Sequence, residues 1–356
     1  MDEEDALILL EKKLGSPVAR DEAVQLVHTL DSIPLALTQA AVFIRQRAPR
    51  MSVLRYVQKV RKSDQHQARL LEKDVGDSRR DGRASHSIIA TWQISFEHIR
   101  KHMPTAARLL SLMSMFDRQG IPESPLEGKY TVDGDGDISF DDDIHTLSSF
   151  SLIKMNTDGR EFEMHQLVQF STKKWLELRN ELEEWKGMYA ALMDASYPVG
   201  RHENWPVCRA LFPHAQVMLH SQPKDAAMLQ AWASVLFKAS WYASEVGQYN
   251  EALGLGSTAL LVRESVLGAE HITTMDSLDS LGEVLNQQGR YDEGERVHKR
   301  TLETRQRVLG DNHPETLTSM SNLASTHWYQ GRWKEAEGLG VQVVNISKMV
   351  LGERPP

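Results

Sequence analysis

The chain has 356 residues, of which 41% are hydrophobic and 25% are charged, and this is the composition of an ordinary globular protein. A formal net charge of −8 gives it no general attraction for phosphate backbones or anionic lipid surfaces, so neither DNA nor a membrane is expected as a partner. Its acidic start and its lack of a long apolar run predict neither a signal peptide nor a transmembrane segment, and the cytoplasm is the expected location.

Residues 1–62 have the apolar spacing of four short helices, which predicts a helical bundle. The predicted helices cover 5–14, 21–30 with Asp21 as N-cap, a third that begins at Ser32 with Pro34 in its first turn, and 52–61. Residues 63–85 are charged and have no apolar period, so they are predicted to form a linker.

Residues 86–178 predict a winged-helix domain with a short β-hairpin. Two helices, one with its apolar stripe over 88–99, precede a third helix near 144–150, and strand-like segments follow at 151–155 and 161–164. The third helix would enter a DNA groove in such a domain. It begins with three consecutive aspartates, whose carboxylates repel phosphates, so DNA recognition is not expected.

Two apparent metal sites are better interpreted as solvated surface. His98 and His102 lie one helical turn apart but lack an evident third ligand. The acidic loop at 133–137 begins like a calcium-binding EF-hand, but Ile138 replaces its turn glycine. We therefore expect no metal in this chain.

The C-terminal part contains a repeat with a period of 42 residues. A triplet of glycine, a polar residue and an aromatic residue recurs at Gly247, Gly289 and Gly331. A Val-Leu-Gly triplet recurs with the same period and ends at Gly268, Gly310 and Gly352. Each unit has the pattern of two helices with a glycine between them. Residues 179–228 predict degenerate helical hairpins, and 229–356 predict the regular ones.

Residues 229–356 resemble tetratricopeptide repeats of the kinesin light chain type, most specifically over 308–316. The resemblance implies an α-solenoid whose first helices line a groove for a protein or peptide. Ser280 and Asn322 occupy equivalent positions there, and a carboxamide can bond both backbone groups of an extended peptide. The alternative for Asn322 is a merely solvated side chain. The last helix has apolar residues without a successor, which predicts a longer array or self-association through this repeat.

A second resemblance covers essentially the whole chain. The segment Ile-Pro-Leu-Ala-Leu at 33–37 resembles the Gly-Leu-Pro-Leu motif of NB-ARC regulatory ATPases, and Met164-His165-Gln166 resembles their Met-His-Asp motif. The sequence is similar to fungal STAND proteins with an NB-ARC–tetratricopeptide layout, which resemble NOD-like receptors. The resemblance implies that Pro34 packs on adenine and that His165 meets the β-phosphate of ADP. Alternatively, both are only helix-start and packing residues.

The sequence contains no Gly-x-x-x-x-Gly-Lys-Ser/Thr phosphate loop and no nucleophile elbow, so no catalytic residue and no cofactor are expected in this chain. ADP or ATP enters only through the family resemblance, and the nucleotide-binding subdomain would precede residue 1. The sequence therefore predicts a mainly α, non-enzymatic scaffold: the regulatory and partner-sensing portion of an NB-ARC-type signalling protein. The alternative is a free-standing adaptor, similar to kinesin light chain, that bridges two proteins.

Overall fold

The computed structural model describes residues 1–15, 17–30, 32–60, 82–131 and 139–351. The chain divides into two compact units at the boundary between Trp185 and Lys186. Most of the predicted linker and the acidic loop at 133–137 lie outside the described residues. The linker prediction is wrong at its end, because a helix already begins at Gly82.

The first unit is helical except for three short strands. Its elements are α1 (Glu3–Leu14), α2 (Arg20–Thr29), α3 (Pro34–Gln46), α4 (53–60), α5 (Gly82–His102), α6 (Pro104–Met113), β1 (Ile121–Pro122), α7 (Phe140–Ser149), β2 (Ile153–Met155), β3 (Glu161–Met164) and α8 (Gln166–Leu178). The helix α9 (Leu182–Ser196) crosses the boundary between the units.

The four helices expected in the N-terminal bundle are all present. The third begins at Pro34 and not at Ser32, and Pro34 lies in its first turn as predicted. Proline suits this position because the first helical N–H would have no partner within the helix. The predicted cap of α2 is wrong. That helix begins at Arg20, one residue before Asp21, and its N-cap Ala19 has no side chain that can accept a hydrogen bond.

The three strands form an antiparallel sheet in the order β1-β3-β2. In its register Phe162 of the central strand pairs with both Ile121 and Met155. Phe162 and Met164 are buried, whereas Glu161 and Glu163, which alternate with them, are exposed, as expected for a strand with one covered face. The hairpin was predicted and β1 was missed, because two residues show no periodicity. The winged-helix interpretation itself stays a prediction.

The buried helix α3 is joined to its neighbours through one polar side chain. Gln39 is fully buried; its Oε1 accepts a hydrogen bond from Thr91 Oγ1 at 3.1 Å, and its Nε2 donates to the Ser151 carbonyl at 3.5 Å. A buried amide is tolerated only when its donors and acceptors are satisfied. Gln39 therefore fixes α3 against α5 and the segment before β2.

The second unit consists of stacked helical hairpins. After a 3₁₀ turn (His202–Asn204), its helices are α10 (Trp205–Met218), α11 (Ala226–Glu245), α12 (Tyr249–Leu267), α13 (Ile272–Gln287), α14 (Tyr291–Leu309), α15 (Pro314–Tyr329) and α16 (Trp333–Leu351). The starts of α12, α14 and α16 are 42 residues apart, as are those of α13 and α15. The predicted repeat and its two-helix unit are confirmed.

In the repeats, glycine ends one helix and histidine caps the start of the next helix, at matched positions. Gly268 and Gly310, which follow α12 and α14, have φ of 88° and 89°, a region that residues with a Cβ rarely adopt. The following helices are capped by His271 and His313, whose Nδ1 atoms accept backbone N–H groups two residues later. The histidine cap is thus kept even where the proline that follows His313 is replaced by Ile272.

Across the described ranges, no helix is both long and apolar enough to cross a bilayer.

Candidate ligand-binding surfaces of the repeats

The first helices of the hairpins, α11, α13 and α15, lie side by side and are backed by α12, α14 and α16. Ser280 on α13 and Asn322 on α15 occupy equivalent positions on neighbouring first helices, as predicted, and both are half-buried. The backbone carbonyl of Asn322 accepts a hydrogen bond from Thr326 Oγ1 at 3.0 Å. The structure thus gives the two residues one shared face, while their role in binding stays a prediction.

A buried ion cluster fixes the packing of three helices. Arg305 of α14 is 1% exposed, and its Nη1 contacts the carboxylate of Asp279 and donates to Ser319 Oγ at 2.8 Å. Its Nη2 lies 2.6 Å from Asp276 Oδ1 and 3.3 Å from Glu315 Oε2. A buried guanidinium is stable only when carboxylates and hydrogen-bond acceptors replace its water. Arg305 therefore ties α14 to both α13 and α15.

The ring of His298 completes this cluster. It is fully buried, and its Nδ1 lies 3.4 Å from Asp279 Oδ1. Its Nε2 has no hydrogen-bond partner among the described residues. The space for the ring exists because Gly282 has no side chain: a Cβ there would lie 2.5 Å from His298 Cε1.

The preceding hairpin has an arginine at the same position but with different partners. Arg263 is 8% exposed, and its Nη1 donates to the Thr273 carbonyl at 3.0 Å and to Ser277 Oγ at 2.7 Å. Its guanidinium carbon lies 4.5 Å from the ring centroid of Phe237, within cation–π range. Within the part of the chain that the structure describes, no carboxylate forms an ion pair with Arg263. A pocket of 430 Å³ lies beside it.

An exposed aromatic group marks the last hairpin. Trp328, Tyr329 and Trp333 are 59%, 52% and 55% exposed, and with small residues of α15 and α16 they line a pocket of 550 Å³. Sequence reasoning missed this group, and the signal that could have found it is three aromatic side chains within six positions. Val341 and Val344 of α16 are also exposed, as expected of an uncovered apolar face. What covers that face stays a prediction.

Pro34 and His165 both lie at helix N termini. Pro34 is the exposed first residue of α3, and its carbonyl accepts a hydrogen bond from Thr38 Oγ1 at 2.7 Å. His165 is the exposed N-cap of α8, and its Nδ1 accepts the Leu167 N–H at 3.2 Å. Partial desolvation, followed by the charge of Arg118, lowers the pKa of His165. Because Nδ1 accepts the Leu167 N–H, the ring proton is on Nε2, and this Nε2–H is the donor left for a ligand.

The aspartates at the start of α7 do not all face solvent. Asp141 and Asp142 are exposed, but Asp143 is buried and accepts hydrogen bonds from Thr105 Oγ1 and Tyr130 Oη, both at 2.8 Å. Of the three aspartates expected to repel phosphates, Asp143 therefore presents no surface charge, because it joins α7 to α6. The acidic start of α7 is reduced to two exposed charges.

The His98 and His102 pair has a structural partner. The two ring centroids are 4.3 Å apart, and His98 Nδ1 lies 2.8 Å from Arg47 Nη1. Burial, then Arg47, His102 and Lys59, lowers the pKa of His98 to about 4. A cation would be repelled by these neighbours, and the described ranges contain no group of three side chains suited to hold a metal.

The fold and the exposed first-helix face define a protein with a tetratricopeptide-type helical array. Residues 274–349 match the model of the tetratricopeptide repeat, and residues 97–180 match a domain of unknown function (DUF7779). Proteins of the first class bind other proteins on such arrays without catalysing a reaction.

The chain is 35% identical over 283 residues to a nucleotide-binding leucine-rich repeat (NLR)-like protein of Hyaloscypha variabilis; the match covers 78% of this chain and 28% of that protein. The chain thus spans about a quarter of the curated relative that it matches. This match confirms the predicted resemblance to NOD-like receptor-type proteins.

Two solved structures also show similarity. One is a STAND protein with a tetratricopeptide repeat sensor from Pyrococcus horikoshii, at 13% identity and a TM-score of 0.31, covering 99% of this chain and 61% of that one. The other is a putative kinesin light chain of Podospora anserina, at 16% identity and a TM-score of 0.35, covering 50% of this chain and 92% of that one. TM-scores of this size establish no common fold.

Proposed function

We propose that this chain is the regulatory and partner-sensing portion of an NB-ARC-type signalling protein, in which it binds a protein and catalyses no reaction. The observation that carries the proposal is the shared face of neighbouring first helices, on which Ser280 and Asn322 occupy equivalent, half-buried positions. The similarity to an NLR-like protein supports its placement in a signalling protein.

The partner is an extended segment of protein that lies across α13 and α15. Asn322 bonds a backbone N–H and C=O of that segment, and the hydroxyl of Ser280 supplies a further hydrogen bond. The Arg305 cluster holds α13, α14 and α15 together before the partner arrives. A preformed surface loses less conformational entropy on binding, which favours affinity.

Pro34 and His165 contribute, in this proposal, to a nucleotide whose phosphates are held by a different region. Pro34 would pack on the base, and the Nε2–H of a neutral His165 would donate to a phosphate oxygen. Neither residue can replace a phosphate loop, so this chain by itself is expected to bind neither ADP nor ATP.

A second candidate function is a free-standing adaptor that bridges two proteins. It is favoured by the exposed aromatic group of Trp328, Tyr329 and Trp333, whose apolar chemistry differs from that of the polar pair Ser280 and Asn322. Exposed aromatic clusters are typical of protein contacts. Self-association through the last hairpin would use the same surface.

Calorimetric titration of the purified chain with ADP and with ATP tests the nucleotide part of the proposal. No binding is expected with either nucleotide. Binding that weakens when Pro34→Ala or His165→Ala is introduced would overturn the proposal and establish a nucleotide site in this chain. The Gln46→Ala variant, which alters an exposed residue at the opposite end of α3 and contacts neither Pro34 nor His165, is the matched control.

A further inference from the structure

The pocket beside Arg263 has a volume of 430 Å³ and belongs entirely to the second unit. Its lining comes from α9, α11, α12 and the start of α13, and includes Asp194, Ser234, Arg263, His271 and Thr273. A cavity of this size accommodates one or two amino-acid side chains.

The guanidinium of Arg263 is buried but only partly bonded. Both of its hydrogen bonds, to the Thr273 carbonyl and to Ser277 Oγ, are donated by Nη1. In the described part of the chain, Nε and Nη2 have no acceptor. Arginine has five N–H donors and is charged at every physiological pH, so a buried one with an unused edge is suited to a carboxylate.

In the following hairpin the arginine at this position is neutralised by carboxylates, although its Nε also has no hydrogen-bond partner among the described residues. Arg305, 42 residues later, is bound by Asp276, Asp279 and Glu315. The equivalent positions of the earlier hairpin have no carboxylate and are occupied by Ser234, Phe237 and Thr273. The same cation is therefore neutralised within the chain in one repeat and not in the other.

The two acidic side chains whose charges act on Arg263, Asp194 and Asp276, are paired with other cations. Asp194 lines the pocket, but its Oδ1 lies 2.8 Å from Lys238 Nζ. Asp276 is paired with Arg305. Burial lowers the pKa of Arg263, while the more distant charges of Asp276 and Asp194 raise it. Neither acid forms an ion pair with Arg263, so the pocket has one cation in excess.

We propose that this pocket is a carboxylate-binding subsite, in which Nε and Nη2 of Arg263 donate to a carboxylate of a bound protein. The carboxylate is an aspartate or glutamate side chain, or the C terminus of the partner. That the carboxylate comes from a partner protein rests on the proposed function. The affinity of the pocket for carboxylates does not, because it can be tested with small molecules.

Three probes distinguish the two sources. N-acetylglutamate N-methylamide has only a side-chain carboxylate, N-acetylalanine has only an α-carboxylate, and N-acetylglutamine N-methylamide is a neutral control. Binding is followed on the chain by the NMR signal of Arg263 Nε–H, which is assigned through its loss in Arg263→Met. At least one carboxylate probe is expected to shift this signal at millimolar concentration, and the neutral probe is not.

The decisive variant is Ser234→Asp, which gives this hairpin the carboxylate that Asp276 provides in the next one. It keeps Arg263 and is expected to raise the melting temperature and to reduce probe affinity at least tenfold. Gln342→Glu adds one negative charge on the exposed surface of α16 and is expected to leave probe binding unchanged.

The proposal is overturned if neither carboxylate probe shifts the Arg263 signal, or if Ser234→Asp and wild type bind them equally. These outcomes leave protein binding by the first-helix face untouched. Conversely, the carboxylate probes can bind even if Ser280 and Asn322 are found to bind no protein. That result would support the subsite and contradict the proposed function.

Discussion

Gly282 and His298 form a matched pair across α13 and α14, since the ring of the histidine fills the space above the glycine. The preceding hairpin has the opposite arrangement. Ser240 and Gly256 occupy the equivalent positions, and a Cβ on Gly256 would lie 2.7 Å from Ser240 Oγ. One small and one larger residue therefore fit together in each of these two hairpins, on opposite helices.

This pairing predicts non-additive effects. Gly282→Ser overpacks the site and is expected to lower the free energy of unfolding by about 1–3 kcal/mol. The double variant Gly282→Ser/His298→Gly copies the earlier pair and is expected to lose less than the sum of its single variants by about 1 kcal/mol. Urea unfolding followed by circular dichroism measures all four proteins. Strict additivity would show that the two residues do not share the space.

The Arg305 cluster predicts a large loss of stability on removing the cation. Arg305→Met leaves Asp279 buried without its partner, and a loss of about 3–5 kcal/mol is expected. Arg300→Met breaks the exposed pair with Glu264 and is expected to cost at most about 1 kcal/mol. Urea unfolding of both variants gives the comparison. Equal losses would mean that the buried cluster contributes no more than a surface ion pair.

Glu295 predicts a stability change in acid. Against the effect of burial, hydrogen bonds from Lys299, Gln330 and Arg332 lower the pKa of its carboxyl to about 2. The stabilisation is therefore complete above the unfolded value of 4.5 and is lost as the pH falls towards 2. Glu295→Gln is expected to cost about 1.5–3 kcal/mol at pH 7 and much less at pH 2.

Glu293→Gln is the control for this prediction, because Glu293 makes a solvent-exposed pair with Arg290 one turn away. Its unfolding midpoint is expected to change little at any pH. If Glu295→Gln and wild type lose stability in parallel between pH 4.5 and 2, the network does not act through this carboxylate.

His98 also predicts a loss of stability in acid. Its cause differs from that of Glu295, because His98 is the group that stays neutral in the folded chain. Its pKa of about 4 lies below the unfolded value of 6.5, so only the unfolded chain takes up a proton between these values. The stability of the first unit is therefore expected to fall as the pH drops from 6.5 to 4, and His98→Gln is expected to flatten this slope.

Histidine ring signals in an NMR titration measure the effect directly. One signal titrating near pH 4 is expected, and it disappears in His98→Gln but not in His145→Gln, which alters an exposed histidine of α7. A His98 signal that titrates near pH 6.5 would contradict the assigned surroundings of Arg47 and Lys59.

The periodic part of the fold could be predicted closely, and the parts that depend on contacts between distant segments could not. The 42-residue period places α12 to α16 because each hairpin repeats the same glycine and histidine termini. Asp143 was misplaced because its partners Thr105 and Tyr130 come from other segments. The strand β1 gives no periodic signal, since it exists only through pairing with β3.

Arg263 and Arg305 differ in the residues that surround them, and this difference can be read from the sequence. Both positions contain arginine, and the distinction lies in Phe237 and Asp279, which occupy one equivalent position on the preceding first helices. Comparing the repeats position by position, including their polar residues, would have found it. The apolar positions used to detect the repeat do not contain this information.

Protein binding by the first-helix face is tested most directly by comparing the proteins captured from a fungal extract by three baits. The baits are wild type, the double variant Ser280→Arg/Asn322→Arg, and Glu303→Arg on the exposed surface of α14; equal melting temperatures confirm that all three are folded. A protein captured by wild type and Glu303→Arg is expected to be depleted at least about tenfold in the double variant, which corresponds to about 1.4 kcal/mol. Capture of the same proteins in equal amounts by all three baits would contradict a binding site on this face.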